Sequence, residues 1–118
     1  MSIGLLTLYG LKNCDTCKKA LKALEAAGRE VAFVDIREEA DLAKLVPAWL
    51  KTAGAEKLVN RRSTTWRTLS EEDKAAALGG DAAKVLQANP TLIKRPVIDT
   101  GADILVGWDS GVQQALKA

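Results

Sequence analysis

The feature that most restricts this chain is a change of hydrophobic period near its start. Ile3 to Tyr9 is a short, nearly continuous apolar run through Leu5, Leu6 and Leu8, as expected of a strand covered on both faces in a parallel sheet. After a loop from Gly10 to Asn13 the period becomes helical. Cys17, Ala20, Leu21, Leu24 and Ala27 fall on one stripe, with Lys18, Lys19, Lys22 and Glu25 outside it. Gly28 stands where a helix-terminating glycine belongs, and Val31 to Ile36 is a second β-branched run. Strand–helix–strand in this spacing implies a parallel pair with a right-handed crossover.

The middle of the chain reads as mostly helical. Asp41 is a candidate cap for a segment in which Leu42, Leu45, Val46, Trp49 and Leu50 share a face, closed by Gly54. Pro47 inside that segment predicts a kink or a later helix start. Asn60 to Thr68 is polar and sets Arg61, Arg62 and Arg67 around Trp66. Ser70 with Asp73 resembles a capping box for a helix running to Gly79-Gly80, and Asp81 can cap another that stops before Pro90. Strands return with Pro96 to Asp99 and Ile104 to Val106, joined by a hairpin turn at Thr100 to Asp103. Asp109 or Ser110 then caps a last helix through Val112, Ala115 and Leu116.

The order βαβ, helices, ββα predicts an α/β chain with a thioredoxin-like mixed sheet and a helical insertion. At 118 residues it reads as a single domain, with the thioredoxin-like part at 1–38 and 91–118 and the insertion at 39–90. A formal charge of +2 is too small to argue for nucleic acid or an acidic membrane. No apolar run reaches the roughly 18 residues of a membrane helix. The first residues read as a strand rather than a signal peptide, which predicts a cytoplasmic protein. Nothing demands more than a monomer.

Cys14 and Cys17 are the only cysteines. A pair at this spacing in a reducing compartment is more often catalytic or metal-binding than structural. The chain has no histidine and no second cysteine pair, which argues against zinc. Cys14 falls at the strand-to-helix junction, where free backbone N–H groups stabilise a thiolate. It is the natural attacking thiol. Cys17, one turn on and on the apolar stripe, is either a resolving thiol or a small core residue. Pro96 opens the third strand; in a thioredoxin-like site a cis proline faces the nucleophilic cysteine. Arg95 then either points its guanidinium at the Cys14 thiolate or lies in solvent. Arg62 is a candidate second anion contact, although arginines beside a tryptophan often only cover it.

Tyr9-x-x-x-x-Cys14-x-x-Cys17-Lys-Lys-Ala-Leu, Val34-Asp35-Ile36-Arg37, Leu58-Val59-Asn60-x-Arg62-x-x-x-Trp66 and Asn89-Pro90-x-Leu92-Ile93-Lys94-Arg95-Pro96-Val97 resemble the arsenate reductase/Spx family, in order and over nearly the whole chain. Asn60 to Arg67 and Gly107-Trp-Asp109-Ser are similar to its YffB-like branch, proposed as glutathione-dependent thiol reductases. The resemblance implies a thiol–disulfide oxidoreductase with Cys14 as nucleophile, Cys17 or a second glutathione resolving the adduct, and Arg95, the helix N-terminus and Lys12 on the thiolate. Lys12 and Asn13 would line the substrate site beside Pro96, with Arg62 and Lys94 on a glutathione carboxylate. No tightly bound cofactor is implied; glutathione is the co-substrate, and a glutaredoxin or a disulfide substrate is the expected partner. Two alternatives come with the family. Glutaredoxin-linked arsenate reductases use a cysteine and three arginines; Cys14 and Arg95 match, but the third arginine position falls near Gly107-Trp108. The Spx branch binds the RNA polymerase α subunit and switches through a Cys-x-x-Cys disulfide; this chain has the pair without an evident basic C-terminal extension.

Overall fold

Leu6–Gly10 forms β1 at the centre of a four-stranded sheet in a computed structural model that describes residues 5–116. The expected strand start at Ile3 lies outside the described residues. The helix α1 (Asp15–Ala26) returns the chain to β2 (Val31–Asp35), which pairs parallel to β1 from Leu6↔Val31 to Gly10↔Asp35. On the other side β1 pairs antiparallel with β3 (Val97–Asp99), and β3 with β4 (Ile104–Val106). The strand order β2-β1-β3-β4 is a thioredoxin-like mixed sheet.

Two compact units make up the chain: the residues up to Ala40 with those from Arg95 on, and Asp41–Lys94. In the first, strand alternation puts Leu6, Leu8 and Ile98 on one face of the sheet. There they meet Cys17, Ala20 and Leu24 of α1 and Val112 and Leu116 of the last helix. Full burial of Leu24 contributes about 1.5–3 kcal/mol, enough to decide which side of α1 faces the sheet. Ala27, expected on that stripe, is the C-cap residue and is exposed; the helix has ended before its Cβ reaches the core. Gly28 follows at φ 80°, a conformation that favours glycine.

The second unit contains α2 (Leu42–Ala53), α3 (Ala55–Leu58), α4 (Thr64–Thr68), α5 (Glu71–Ala77) and α6 (Ala82–Ala88), with a 3₁₀ turn at Pro90–Leu92. The helix α2 starts at Leu42 and runs across Pro47, so the later start is corrected. Pro47 lies exposed in the middle of α2, where it removes one i→i−4 backbone bond while Val46 and Trp49 hold the buried face. The polar stretch around Trp66 is not wholly irregular. Ser63 caps α4 by accepting from the Trp66 amide at 3.1 Å, and Ser70 does the same for Asp73 of α5 at 3.1 Å. A cation does sit over the Trp66 ring, but it is Lys74, 5.7 Å from the centroid.

The last helix, α7 (Ser110–Leu116), is capped by Asp109, whose Oδ1 accepts from the Val112 amide at 2.9 Å. Among the described residues no helix is long and apolar enough to cross a membrane.

Candidate active site

Cys14 is the N-cap of α1. After β1 ends at Gly10, a tight turn closes when the Cys14 amide donates to the Leu11 carbonyl at 3.1 Å. The Cys14 carbonyl accepts from Lys18 at 3.0 Å, so the residue is already part of the helical ladder. Its backbone is extended, φ −93° and ψ 117°, as an N-cap requires. The sulfur stands where a capping oxygen would otherwise stand. It closes no full capping hydrogen bond, yet the Cys17 amide is directed at it and favours the thiolate. Such a contact shortens once the sulfur carries charge.

Four influences set the proton affinity of Cys14. Burial alone would raise it. Against burial act the Cys17 amide, the Cys17 thiol and the Arg95 guanidinium, which hydrogen-bonds to the sulfur and adds its charge. The three outweigh burial and hold the Cys14 thiol below its ordinary value. Cys17 goes the other way. It is 1% exposed and packed among Leu8, Ala20 and Leu24. Burial first, then the neighbouring Cys14, push it up to about 12, against the opposing Leu11 amide and Arg95. Both cysteines are free thiols.

Arg95 precedes a cis peptide bond to Pro96. Pro96 is buried, and its carbonyl accepts from the Gly107 amide at 2.8 Å, which fixes the backbone beside the arginine. Arg95→Ala removes both the hydrogen bond and the charge. It should lower the neutral-pH rate of Cys14 alkylation by iodoacetamide roughly three- to tenfold. Arg95→Lys should recover only part of the loss, because a lysine keeps the charge without the planar fork.

The structure thus brings Cys14, Cys17 and Arg95 together in the first unit. Lys12 and Asn13 are exposed on the loop before Cys14, and Lys12 is not among the groups that set the Cys14 proton affinity. Arg62 and Lys94 belong to the second unit, where both are exposed. The Arg62 amide donates to Asn60 Oδ1 at 3.1 Å and the Lys94 amide to the Leu58 carbonyl at 2.7 Å. Asn60 organises its own turn: its amide also donates to Leu92 at 2.8 Å, and its carbonyl accepts from Ser63 Oγ at 2.7 Å. Gly107, near the third arginine position of the arsenate reductases, has φ 88°, a conformation that favours glycine over any arginine. Trp108 packs against the core under α1. Among the described residues no group of three or more cysteines and carboxylates is placed to hold a metal ion.

Residue-type reasoning passed over Asp35, Arg37 and Glu38, which line a cavity with Leu11, Lys12 and Asn13. The available signal was topological: β1 and β2 are parallel neighbours, and ligands bind outside the carboxyl ends of such strands.

A profile of the ArsC family matches residues 9–116. An uncharacterized protein of Haemophilus influenzae is 45% identical over 115 residues, covering 97% of this chain and 100% of that protein. The solved structure of a protein named YFFB (PA3664) superposes with a TM-score of 0.85 at 34% identity, covering 96% of this chain and 99% of that one. An arsenate reductase (ArsC) related protein from Brucella melitensis gives 0.78 at 34% identity, over 98% and 96% of the two chains.

Proposed function

The chain belongs to the ArsC family, in its YffB-like branch, which points to thiol oxidoreductase chemistry, and on that premise we propose that it is a glutathione-dependent thiol reductase with Cys14 as nucleophile. The observation that carries the reading is the inequality of the two thiols. Cys14 is held toward its thiolate by Cys17 and Arg95, while Cys17 is pushed up to about 12 and keeps its proton at neutral pH.

The Cys14 thiolate attacks the glutathione sulfur of a glutathione mixed disulfide. A Cys14–glutathione disulfide forms, the original S–S bond breaks, and its electron pair leaves on the substrate sulfur, which takes a proton from water. A second glutathione, as thiolate, attacks the glutathione sulfur of the adduct. Oxidised glutathione departs and the Cys14 thiolate returns. The substrate disulfide is reduced to a thiol while one added glutathione is oxidised into the departing disulfide. Arg95 and the α1 N-terminus stabilise the thiolate at both ends of the cycle. Cys17, buried and protonated, lowers the Cys14 pKa and leaves resolution to glutathione. A backbone that favours glycine at Gly107 supports this reading over arsenate reduction, since a small oxyanion would lack one of its charge partners.

The test is mass spectrometry after exposure to oxidised glutathione. One glutathione per chain, mapped to Cys14, is expected. An unmodified wild-type chain would remove the reading, and a chain converted wholly to a Cys14–Cys17 disulfide would make Cys17 the resolving thiol.

A further inference from the structure

At the carboxyl ends of β1 and β2 lies a cavity of about 250 Å³ lined by Leu11, Lys12, Asn13, Asp35, Arg37 and Glu38. Register pairs Gly10 with Asp35, so the loop that carries Cys14 and the turn after β2 leave the sheet side by side. The wall is mixed in charge. Lys12 and Arg37 are cations, Asp35 and Glu38 are anions, and Asn13 adds an amide. A purely anionic ligand would meet two carboxylates there, and a purely cationic one would meet two cations. A zwitterion satisfies both sets.

The turn that presents Arg37 and Glu38 is fixed before any ligand arrives. Asp35, 8% exposed, accepts through Oδ1 from the Arg37 amide at 2.8 Å and the Glu38 amide at 3.0 Å. Its carbonyl accepts from Glu39 at 2.9 Å and Ala40 at 3.0 Å. Such preorganisation lowers the ordering cost of binding. A neighbouring cavity of about 190 Å³, lined by Leu11, Lys12, Lys18, Leu21 and Phe33, has apolar walls and no carboxylate for an ammonium.

The geometry points to the charge-mixed cavity as the subsite for an α-amino-acid terminus, the γ-glutamyl end of glutathione, with Lys12 and Arg37 on its carboxylate and Glu38 on its ammonium. This assignment rests on the glutathione reading above and names the part of the molecule that is recognised. The glycyl end of the tripeptide has a carboxylate and no ammonium, so it would use only half of the wall.

The experiment follows Cys14 adduct formation by mass spectrometry with oxidised glutathione and with its N,N′-diacetyl derivative, in which both ammonium groups are blocked. The wild-type protein should react about fivefold faster with the unblocked disulfide at limiting concentration, a modest effect because Glu38 is exposed. Glu38→Gln should bring that preference close to one. Arg37→Gln should raise the half-saturating concentration about fivefold with the limiting rate retained, and Arg37→Lys should recover part of it. Equal wild-type rates with the two disulfides, or a preference that survives Glu38→Gln, would overturn the subsite while leaving the glutathione reading standing. No adduct with either disulfide on the wild-type protein would remove the glutathione reading, and the subsite with it.

Discussion

Cys14→Ser should abolish glutathione adduct formation and lower disulfide reductase activity by roughly a thousandfold or more, because an unactivated hydroxyl cannot replace a thiolate as the attacking group. The contrast with Cys17 is what gives the experiment its force. Cys17→Ala should still take up one glutathione on Cys14, but more slowly, since the Cys17 thiol is one of the groups that hold Cys14 toward its anion. A symmetrical redox couple would lose its disulfide product equally in either variant. The account requires loss of the adduct in one variant and its persistence in the other, read by peptide mapping of the trapped species.

The second large effect concerns Gly10, the last residue of β1. A Cβ at this position would lie 2.5 Å from Cys17 Sγ, 3.2 Å from Cys17 Cβ and 3.4 Å from Leu8 Cδ2. The strand ends as a glycine because the helix must bring Cys17 down against the sheet, and no side chain fits between. Gly10→Ala should therefore cost about 1–3 kcal/mol through overpacking, measured as a lower urea midpoint at unchanged slope. Cys17→Ala alone should cost about 1 kcal/mol for the small void it leaves. The double variant should be less destabilised than the sum of the two, because the second change removes the atom that the first collides with. Strict additivity would mean that Gly10 is a glycine for some other reason. Since Cys17 is a neighbour of Cys14, Gly10→Ala should also slow Cys14 alkylation, which links strand packing to the reactivity of the thiol.

The strand–helix–strand start was legible because two periods, alternation and the helical stripe, meet at a sharp boundary. Cys17, Ala20 and Leu24 are buried as that stripe requires. Element ends were less legible. Gly10 reads as loop from composition, yet pairing with Asp35 carries β1 one residue further. Ile36 reads as strand, yet Asp35 has already begun the turn by accepting the amides of Arg37 and Glu38. The helix α4 went unread because four of its five residues are polar, Trp66 being the exception, and only the Ser63 cap marks it. At the site, the loop position of Cys14 and the helix stripe through Cys17 make the two cysteines unequal in the sequence itself. The partnership of Arg95 with Cys14 depends on β3 lying beside β1, a long-range pairing that no local pattern encodes and that is expected only through the thioredoxin-like element order and the family resemblance. The Arg37–Glu38 wall went unread, because it comes from a strand neighbour rather than from the cysteine motif.

One fold shifts the proton affinities of two cysteines three residues apart in opposite directions. The direct test is alkylation of each thiol as a function of pH, with both sites resolved by mass spectrometry. A thiolate alkylates and a thiol does not, so each rate rises with pH up to the pKa of its group and is level above it. The account predicts that Cys14 levels off below the ordinary thiol value and that Cys17 stays protected through neutral pH, titrating only toward about 12. A shared midpoint at the ordinary cysteine value, or labelling of Cys17 ahead of Cys14, would contradict it.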